Sequence, residues 1–166
     1  MMETREIKEK GISPLKFSDG PNGVRKINEE NNEGDAFGIA NSLPATSFPT
    51  GSTLAMSWDK SLLYEVGQGI AKECRYYGVH GLLGPSMNIK RNPLCGRNFE
   101  YYSEDPLLSG LLASEYVKGV QSENILACPK HFACNNNEKW RYVGDSVIDE
   151  RALREIYLKG FEIVVK

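Results

Sequence analysis

Four polar side chains have types that can hold a neutral polar ligand: Asp19, Arg97, Lys130 and His131. A carboxylate can accept hydrogen bonds from two neighbouring hydroxyls at once. A guanidinium offers a planar fork of donors that suits paired oxygens or a nearby carboxylate. Their chemistry depends on whether the fold brings them together, so the segments that carry them come next.

Arg97 lies in a loop that follows an apolar run. Residues 82–89 are mostly apolar and are broken by Gly84 and Pro85, and the next residues are dense in Arg, Asn, Glu, Tyr and Gly. A short buried strand opening into a polar loop is typical of a parallel α/β protein, which binds ligands at the carboxyl ends of its strands. Composition alone leaves an ordinary solvated connection open.

Asp19 ends a short predicted strand, residues 14–18, and is followed by a turn. Gly20 and Gly23 permit backbone angles that other residues resist, and Pro21 fixes its own. The turn is therefore predicted to hold the Asp19 carboxylate at a strand end. An aspartate that only stabilises its own turn is the alternative.

Lys130 and His131 follow another apolar segment, residues 125–129. Neighbouring side chains on a regular strand point to opposite sides, so both can reach one ligand only if the backbone turns there. Pro129 makes such a turn plausible. The alternative is a lysine that extends to solvent beside a hydrogen-bonded histidine.

These residues require a scaffold of alternating strands and helices. We predict a frayed helix over residues 1–13, a second strand and its exit over residues 46–56, and an excursion over residues 26–43. Asp59, Asp105 and Asp149 are predicted to cap helices. The predicted buried faces are Leu62, Val66, Ile70 and Cys74, then Leu108, Leu112, Tyr116 and Val120, then Leu153, Ile156, Tyr157 and Phe161.

Composition excludes several classes of function. The 166 residues are 40% apolar and 25% charged with a net charge of -2, which describes an ordinary globular chain without a basic stripe for nucleic acid. Apolar runs are too short for a membrane helix, and we expect a cytoplasmic location. The sequence has two histidines and four dispersed cysteines, which favour reduced thiols and predict no metal or cofactor. Disorder is expected only at the start of the chain and over residues 28–35. His80 is expected to be structural, and Trp140 and Tyr142 are expected to pack rather than to stack on a ligand ring.

Four segments together resemble one enzyme family. Gly84-Pro-Ser-Met-Asn-Ile89 followed by Gly96-Arg-Asn-Phe-Glu-Tyr-Tyr-Ser-Glu-Asp-Pro106 is similar to the signature of glycoside hydrolase family 3, the β-glucosidase-like enzymes. Residues 17–25, residues 48–51 with 58–59, and residues 130–141 match the same family in the same order. The likeness runs from about Gly11 to the end of the chain.

The resemblance implies a fold and a set of site residues. It implies an α/β fold with roughly the first half of a (β/α)8 TIM barrel, as a single incomplete N-terminal domain over residues 1–166. Asp19 then matches the acid that grips the sugar at the cleavage subsite. Arg97, Lys130, His131 and Arg141 match further sugar contacts of that subsite. Glu100 is expected to orient Arg97 rather than to perform acid–base chemistry.

The resemblance also implies that the bond-breaking groups lie elsewhere. Retaining glycosidases use two carboxyl groups about 5–5.5 Å apart, one as nucleophile and one as acid/base. In the family these are an aspartate of a Ser-Asp-Trp type segment downstream and a glutamate of a later domain. We therefore expect no catalytic residue in this chain and no hydrolysis by it alone.

The expected function is retaining hydrolysis of terminal β-linked sugars of oligosaccharides in carbohydrate metabolism. The β-glucosidase or β-xylosidase branch is favoured over the N-acetylglucosaminidase branch, because residues 133–135 lack that branch's Pro-Gly pattern and no histidine follows His131. A non-catalytic carbohydrate-binding protein or a truncated remnant is the alternative. An unclosed barrel leaves strand edges exposed, so self-association is also expected, and light scattering would test it.

Overall fold

The computed structural model describes residues 2–28 and 41–166. Within them, four strands form one sheet in the order β1-β2-β3-β4. The strands are β1 Met2–Glu3, β2 Lys16–Asp19, β3 Gly81–Leu83 and β4 Leu126–Ala127. β1 pairs antiparallel with β2, whereas β2, β3 and β4 are mutually parallel. The carboxyl ends of the three parallel strands therefore meet at one edge of the sheet, as the sequence predicts.

Helices lie between the parallel strands and after β4. They are α1 Gly51–Met56, α2 Lys60–Tyr76, α3 Pro106–Ser122, α4 Glu150–Ala152 and α5 Lys159–Val165, with 3-10 turns at Lys8–Lys10 and Asn98–Glu100 and a π-helical turn at Leu153–Tyr157. α2 and α3 pack against each other, and each contacts a strand. This strand–helix alternation and open parallel sheet confirm the predicted partial barrel.

The three predicted aspartate caps are confirmed. Asp59 accepts hydrogen bonds from two backbone N–H groups at the start of α2, Asp105 does the same for α3, and Asp149 accepts from Ala152 N–H. Each cap satisfies amide donors that have no partner inside the helix. These helix starts were predictable because the bonds that define them span only two or three residues.

The predicted helix faces need two corrections. Leu63 is fully buried in α2, whereas the predicted Leu62 is 36% exposed. In the last helix Tyr157 is buried but Ile156 is 38% exposed. There the Leu158 N–H bonds to the Leu153 carbonyl, five residues back, and this π turn inserts a residue that shifts the inward face.

Two predicted elements are wrong, and part of a third cannot be compared. Residues 46–56 do not form a strand: Thr50 caps the short helix α1, and the side chain accepts a hydrogen bond from Thr53 N–H. The frayed helix predicted over residues 1–13 is wrong for residues 2–13, because β1 and a 3-10 turn lie there. Residues 29–40 of the predicted excursion, which include most of the predicted disordered stretch, lie outside the described residues.

The crossing of α2 and α3 depends on two glycines. A Cβ on Gly67 would collide with the Tyr116 carbonyl oxygen, and one on Gly119 would collide with the Tyr64 carbonyl oxygen. The two backbones are therefore in direct contact, which brings α2 and α3 close enough to cover the sheet together.

We expect Gly67→Ala to destabilise the protein. Overpacking costs about 1–3 kcal/mol, which exceeds the gain of up to about 1 kcal/mol in helix propensity. Gly69→Ala is the matched control on the same helix, because its Cβ would meet only the movable Phe48 ring at 3.2 Å. Urea unfolding of both variants tests this, and equal or higher stability of Gly67→Ala would contradict the close contact.

Candidate functional site

Asp19 and Lys130 form an ion pair at the carboxyl edge of the sheet. The Lys130 Nζ lies 2.6 Å from the Asp19 Oδ1, although 111 residues separate them along the chain. Asp19 ends β2, and Gly20 after it has φ of +118°, where a Cβ would collide with the Gly23 carbonyl oxygen. The predicted rigid turn therefore exists and requires glycine at position 20.

The ion pair leaves the carboxylate open to a ligand. The Lys130 side chain is 13% exposed, whereas that of Asp19 is 44% exposed. Burial raises the pKa of Asp19, but the hydrogen bond and charge of Lys130, the Gly20 N–H and the Arg97 charge together hold it below its ordinary value. Asp19 is thus ionised. Lys130 binds its Oδ1, and its other carboxylate oxygen has no bond to Lys130.

Arg97 is held by a buried carboxylate. Glu100 is 4% exposed, forms a short ion pair with the Arg97 Nε, and accepts a hydrogen bond of 2.5 Å from the Ser86 hydroxyl. The Ser52 hydroxyl of α1 donates to the Asn98 carbonyl at 3.0 Å and so anchors the turn that carries this pair. The predicted role of Glu100 in orienting Arg97 agrees with this geometry.

His131 contacts Tyr101, a residue that the sequence reasoning did not single out. The Tyr101 hydroxyl lies 3.2 Å from the His131 Nδ1. Burial raises the pKa of Tyr101 to about 12, so the hydroxyl keeps its proton. Burial, followed by the charges of Arg97 and Lys130, lowers the pKa of His131 to about 4, so the imidazole is neutral at pH 7. Tyr101 and the His131 Nδ1 therefore share one hydrogen bond between neutral groups, which leaves Nε2 as the ring nitrogen without a bond to Tyr101.

We expect His131 to titrate with a midpoint of about 4 in the folded chain, below the ordinary value of 6.5. Between these values the unfolded chain binds a proton that the folded chain excludes. The contribution of His131 to stability is therefore complete above pH 6.5 and is lost as the pH falls toward 4. Imidazole NMR shifts measured against pH test this, with a His80→Gln variant to assign the two histidines, and a midpoint above 6 would contradict it.

Arg141 joins the site through a chain of hydrogen bonds. Its guanidinium lies 3.0 Å from the Glu138 Oε2, and the Glu138 Oε1 accepts from the Asn135 Nδ2 at 2.8 Å. The same Nδ2 donates to the Tyr101 hydroxyl at 3.2 Å. Arg141 is therefore connected to His131 through three intervening side chains.

The two aromatic residues beside Arg141 do not pack. Trp140 is 68% exposed and Tyr142 is 90% exposed, so the predicted packing role is wrong for both residues in the described structure. The Arg141 guanidinium lies 5.3 Å from the centre of the Tyr142 ring, within cation–π range. His80 is structural as predicted, because its Nδ1 accepts the Lys16 N–H at 3.0 Å.

An open cleft of about 480 Å³ lies beside Asp19 and Arg97. The turn at residues 20–25, residues 43–47 and the ring of Phe99 complete its lining, as far as the described residues show. Its volume falls within the range of small-molecule sites. The cleft thus joins an ionised carboxylate and a guanidinium in a single concave surface.

Bonds join the predicted residues in two groups: Asp19 pairs with Lys130, and the chain described above connects His131 to Arg141. Arg97 bonds to Glu100, and its charge lowers the pKa of both Asp19 and His131. The sequence reasoning missed Tyr101, Asn135 and Glu138 as members of these groups. All three lie inside the motifs that carry the family resemblance, which was the signal available for finding them.

The remaining sequence expectations concern thiols, metals and membranes. All four cysteines are free; Cys74, Cys95 and Cys134 are buried, and Cys128 is exposed. Burial, then the Glu73 charge, raises the pKa of the Cys74 thiol to about 12. In residues 2–28 and 41–166, no cluster of His, Cys, Asp and Glu side chains is arranged to hold a metal ion. The described helices include none with the length and apolarity to cross a membrane.

Comparisons with known proteins identify relatives of the chain. The family model described as glycosyl hydrolase family 3 N-terminal domain matches residues 17–166. The chain is 51% identical over 163 residues to thermostable beta-glucosidase B of Acetivibrio thermocellus, which covers 98% of this chain and 21% of that protein. It is 47% identical over 161 residues to an exo-alpha-(1->6)-L-arabinopyranosidase of Bifidobacterium longum, covering 96% and 21%.

A solved structure gives the same result. The structure of beta-glucosidase 3B from Thermotoga neapolitana in complex with alpha-D-glucose superposes with a TM-score of 0.89 at 53% identity. The match covers 99% of this chain and 22% of that one, so the chain spans about a fifth of the length of the relatives it matches. Sequence and structure agree: residues 17–166 match the model of the family's N-terminal domain, and the chain therefore belongs to glycoside hydrolase family 3.

Proposed function

We propose that this chain supplies the sugar-binding part of the cleavage subsite of a retaining β-glucosidase. The observation that carries the proposal is the Asp19–Lys130 ion pair beside the Arg97–Glu100 pair at the carboxyl edge of a parallel sheet. Both pairs place a charged group at the edge where a parallel α/β sheet binds its ligands. The proposal also covers the domain assignment, a single N-terminal barrel domain that is completed by further polypeptide.

The proposed roles follow from the chemistry of each group. Asp19 accepts hydrogen bonds from two adjacent sugar hydroxyls, since its carboxylate is ionised and partly exposed. Lys130 and the two arginines donate to sugar oxygens without being able to accept. His131 presents Nε2 to the sugar, because Tyr101 occupies Nδ1. Sugar hydroxyls can donate to Asp19 and also accept from the three cationic side chains, whereas a single anion can only accept.

Relatives inform the choice of sugar. Two of those compared are named as beta-glucosidases, and one beta-glucosidase structure contains alpha-D-glucose. A third relative is named as an arabinopyranosidase at 47% identity, so close relatives differ in the pyranose that their names give. We propose glucose as the preferred ring, with xylose and arabinopyranose as comparison ligands.

We expect the purified 166-residue chain to bind D-glucose and to leave an aryl β-glucoside intact. Binding requires only the site described above, whereas retaining hydrolysis requires two carboxyl groups about 5–5.5 Å apart. Both carboxyl groups are proposed to belong to other parts of a longer protein, as in the family pattern. Calorimetric titration with D-glucose measures binding, with open-chain sorbitol as the control.

The two measurements separate the outcomes. Equal weak heats for glucose and sorbitol would contradict a pyranose site. The proposed absence of catalysis would be contradicted if the chain hydrolysed the aryl β-glucoside and an Asp19 variant did not. Glucose binding without turnover supports the proposal and is also the result expected of a non-catalytic binding protein. A further experiment distinguishes these two alternatives by adding the remainder of a longer family 3 chain, which supplies the missing carboxyl groups. Hydrolysis is expected to return if this chain is the sugar-binding part of a β-glucosidase, and not if it is a non-catalytic binding protein.

A further inference from the structure

The segment that carries His131 and Arg141 contains little regular structure of its own. From the end of β4 to the start of α4, the described backbone forms turns and irregular segments. Two of the proposed sugar contacts therefore depend on something outside the segment for their position. The contacts at its centre, residues 135 and 136, show what holds it.

A buried carboxamide clamps this segment. Asn88, just past the end of β3, is 2% exposed. Its Oδ1 accepts the Asn135 N–H at 3.1 Å, and its Nδ2 donates to the Asn135 carbonyl at 3.0 Å. One side chain thus satisfies both backbone groups of one residue, 47 positions away. Asn136 adds a second tie, because its Nδ2 donates to the Ile89 carbonyl at 2.5 Å.

The clamped residue is the branch point of the site. The Asn135 Nδ2 donates both to Tyr101, the hydrogen-bond partner of His131, and to Glu138, the ion-pair partner of Arg141. A displacement of the Asn135 backbone would therefore disturb both ends at once. Asp19, Lys130 and Arg97 are held by other contacts and would keep theirs.

We propose that Asn88 is a positioning residue whose buried carboxamide, by clamping Asn135, holds His131 and Arg141 in place for the sugar. The inference rests on the proposed sugar site but makes a separate claim about what orders it. It also explains why asparagine is needed at position 88, since the clamp requires one donor and one acceptor on a short side chain. Leucine would offer neither group, and aspartate would offer only acceptors when ionised.

The test uses the full chain with three variants: Asn88→Leu, Asn88→Asp, and Asn137→Leu as the matched control. Asn137 lies in the same segment but is exposed, and within residues 2–28 and 41–166 its side chain accepts a hydrogen bond only from the nearby Lys139 N–H. The first measurement is the imidazole ¹⁵N NMR spectrum, in which His80 reports the fold and His131 reports the site. It needs no ligand, so it tests the clamp even if glucose does not bind.

We expect Asn88→Leu to shift or broaden the His131 signals, leave those of His80 unchanged, and weaken D-glucose binding roughly tenfold, whereas Asn137→Leu changes neither. Unchanged His131 signals in a folded Asn88→Leu chain would overturn the proposal. Loss of the His80 signals in both Asn88 variants would overturn it too, because Asn88 would then be required for the fold as a whole.

The Asn88→Asp variant tests whether the hydrogen bonds of this side chain matter, or only its volume. A protonated carboxyl group offers one donor and one acceptor, as the carboxamide does. We therefore expect this variant to regain native His131 signals and glucose affinity as the pH falls from 8 to about 5, since burial favours the neutral acid. The other titratable groups of this network are Tyr101, His131, Glu138 and Arg141. The wild-type chain, measured over the same pH range, is the control for any effect of their titration. The absence of any recovery would count against the clamp.

Discussion

Replacing Asp19 by asparagine is expected to weaken D-glucose binding by roughly ten- to a hundredfold, the value of one hydrogen bond to a charged group. Asparagine has nearly the same shape but replaces one acceptor oxygen with a donor, so it can no longer accept two hydroxyls. It also leaves the Lys130 ammonium, which is 13% exposed, without its carboxylate. Both changes alter the carboxylate oxygens to which the sugar hydroxyls are proposed to donate.

Calorimetric titration of the variant measures this effect. Asp59→Asn is the matched control, because Asp59 caps α2 through the Ser61 and Leu62 amides and asparagine caps helices equally well. Glucose affinity in the control should equal that of the wild-type chain. An Asp19→Asn affinity within twofold of the wild type would show that Asp19 only stabilises its turn.

The pH dependence of glucose binding gives an independent check on Asp19. The pKa of this carboxyl lies below its ordinary value, so the wild-type affinity should stay constant from pH 8 to about 5. Loss of affinity is expected only at lower pH, as Asp19 and His131 become protonated. In the same range, the stability that Asp19 contributes is present above its ordinary value of 3.8 and is lost as the pH falls through its folded value.

Replacing Glu100 by leucine is expected to lower the free energy of unfolding by about 3 kcal/mol or more, as breaking a buried ion pair does. Glu100 is 4% exposed, and the Arg97 side chain is 19% exposed. Leucine would leave the guanidinium without its carboxylate and the buried Ser86 hydroxyl without its acceptor. The guanidinium would then be free to leave the cleft, so glucose binding should fall as well.

Two further variants serve as controls: one removes the charge of Glu100 but keeps its hydrogen bonding, and the other breaks an exposed ion pair instead of a buried one. Glu100→Gln keeps an acceptor for Arg97 and polar contact with Ser86, so we expect a loss of only about 1 kcal/mol. Glu155→Leu removes an ion pair whose side chains are 61% and 83% exposed, and it should change stability by less than about 0.5 kcal/mol. Urea unfolding of the three proteins should rank them in this order. Equal effects for the two leucine variants would mean that the buried pair does not hold Arg97.

Local signals predicted much of the scaffold. The Asp59, Asp105 and Asp149 caps bond to amides two or three residues away, so the residue type and its position before an apolar run were sufficient. Gly78 follows α2 with φ of +65°, a conformation that glycine adopts without strain and that commonly ends a helix. The family motifs supplied the rest, namely the partial barrel and the five site residues.

Local signals failed where a distant partner decides the structure. Residues 46–56 read as a strand because their apolar and β-branched residues suit one. The fold instead ties Thr46 to Glu73 of α2 and seats Ser52 against the Asn98 carbonyl, which favours helix α1. The π turn that exposes Ile156 is likewise absent from any regular helical pattern. At residues 46–56, tertiary contacts outweighed a weak intrinsic preference.

The sequence by itself determined the three helix starts capped by aspartate, the glycine turn after Asp19 and the family to which the chain belongs. Only the tertiary structure decided that Asp19 meets Lys130 across 111 positions, and that Asn88 holds Asn135 across 47. The physical reason is the range of the interactions. A cap or a turn is a bond between near neighbours and leaves a pattern in the sequence. A pair joined across the sheet exists only once parallel strands have aligned their carboxyl ends.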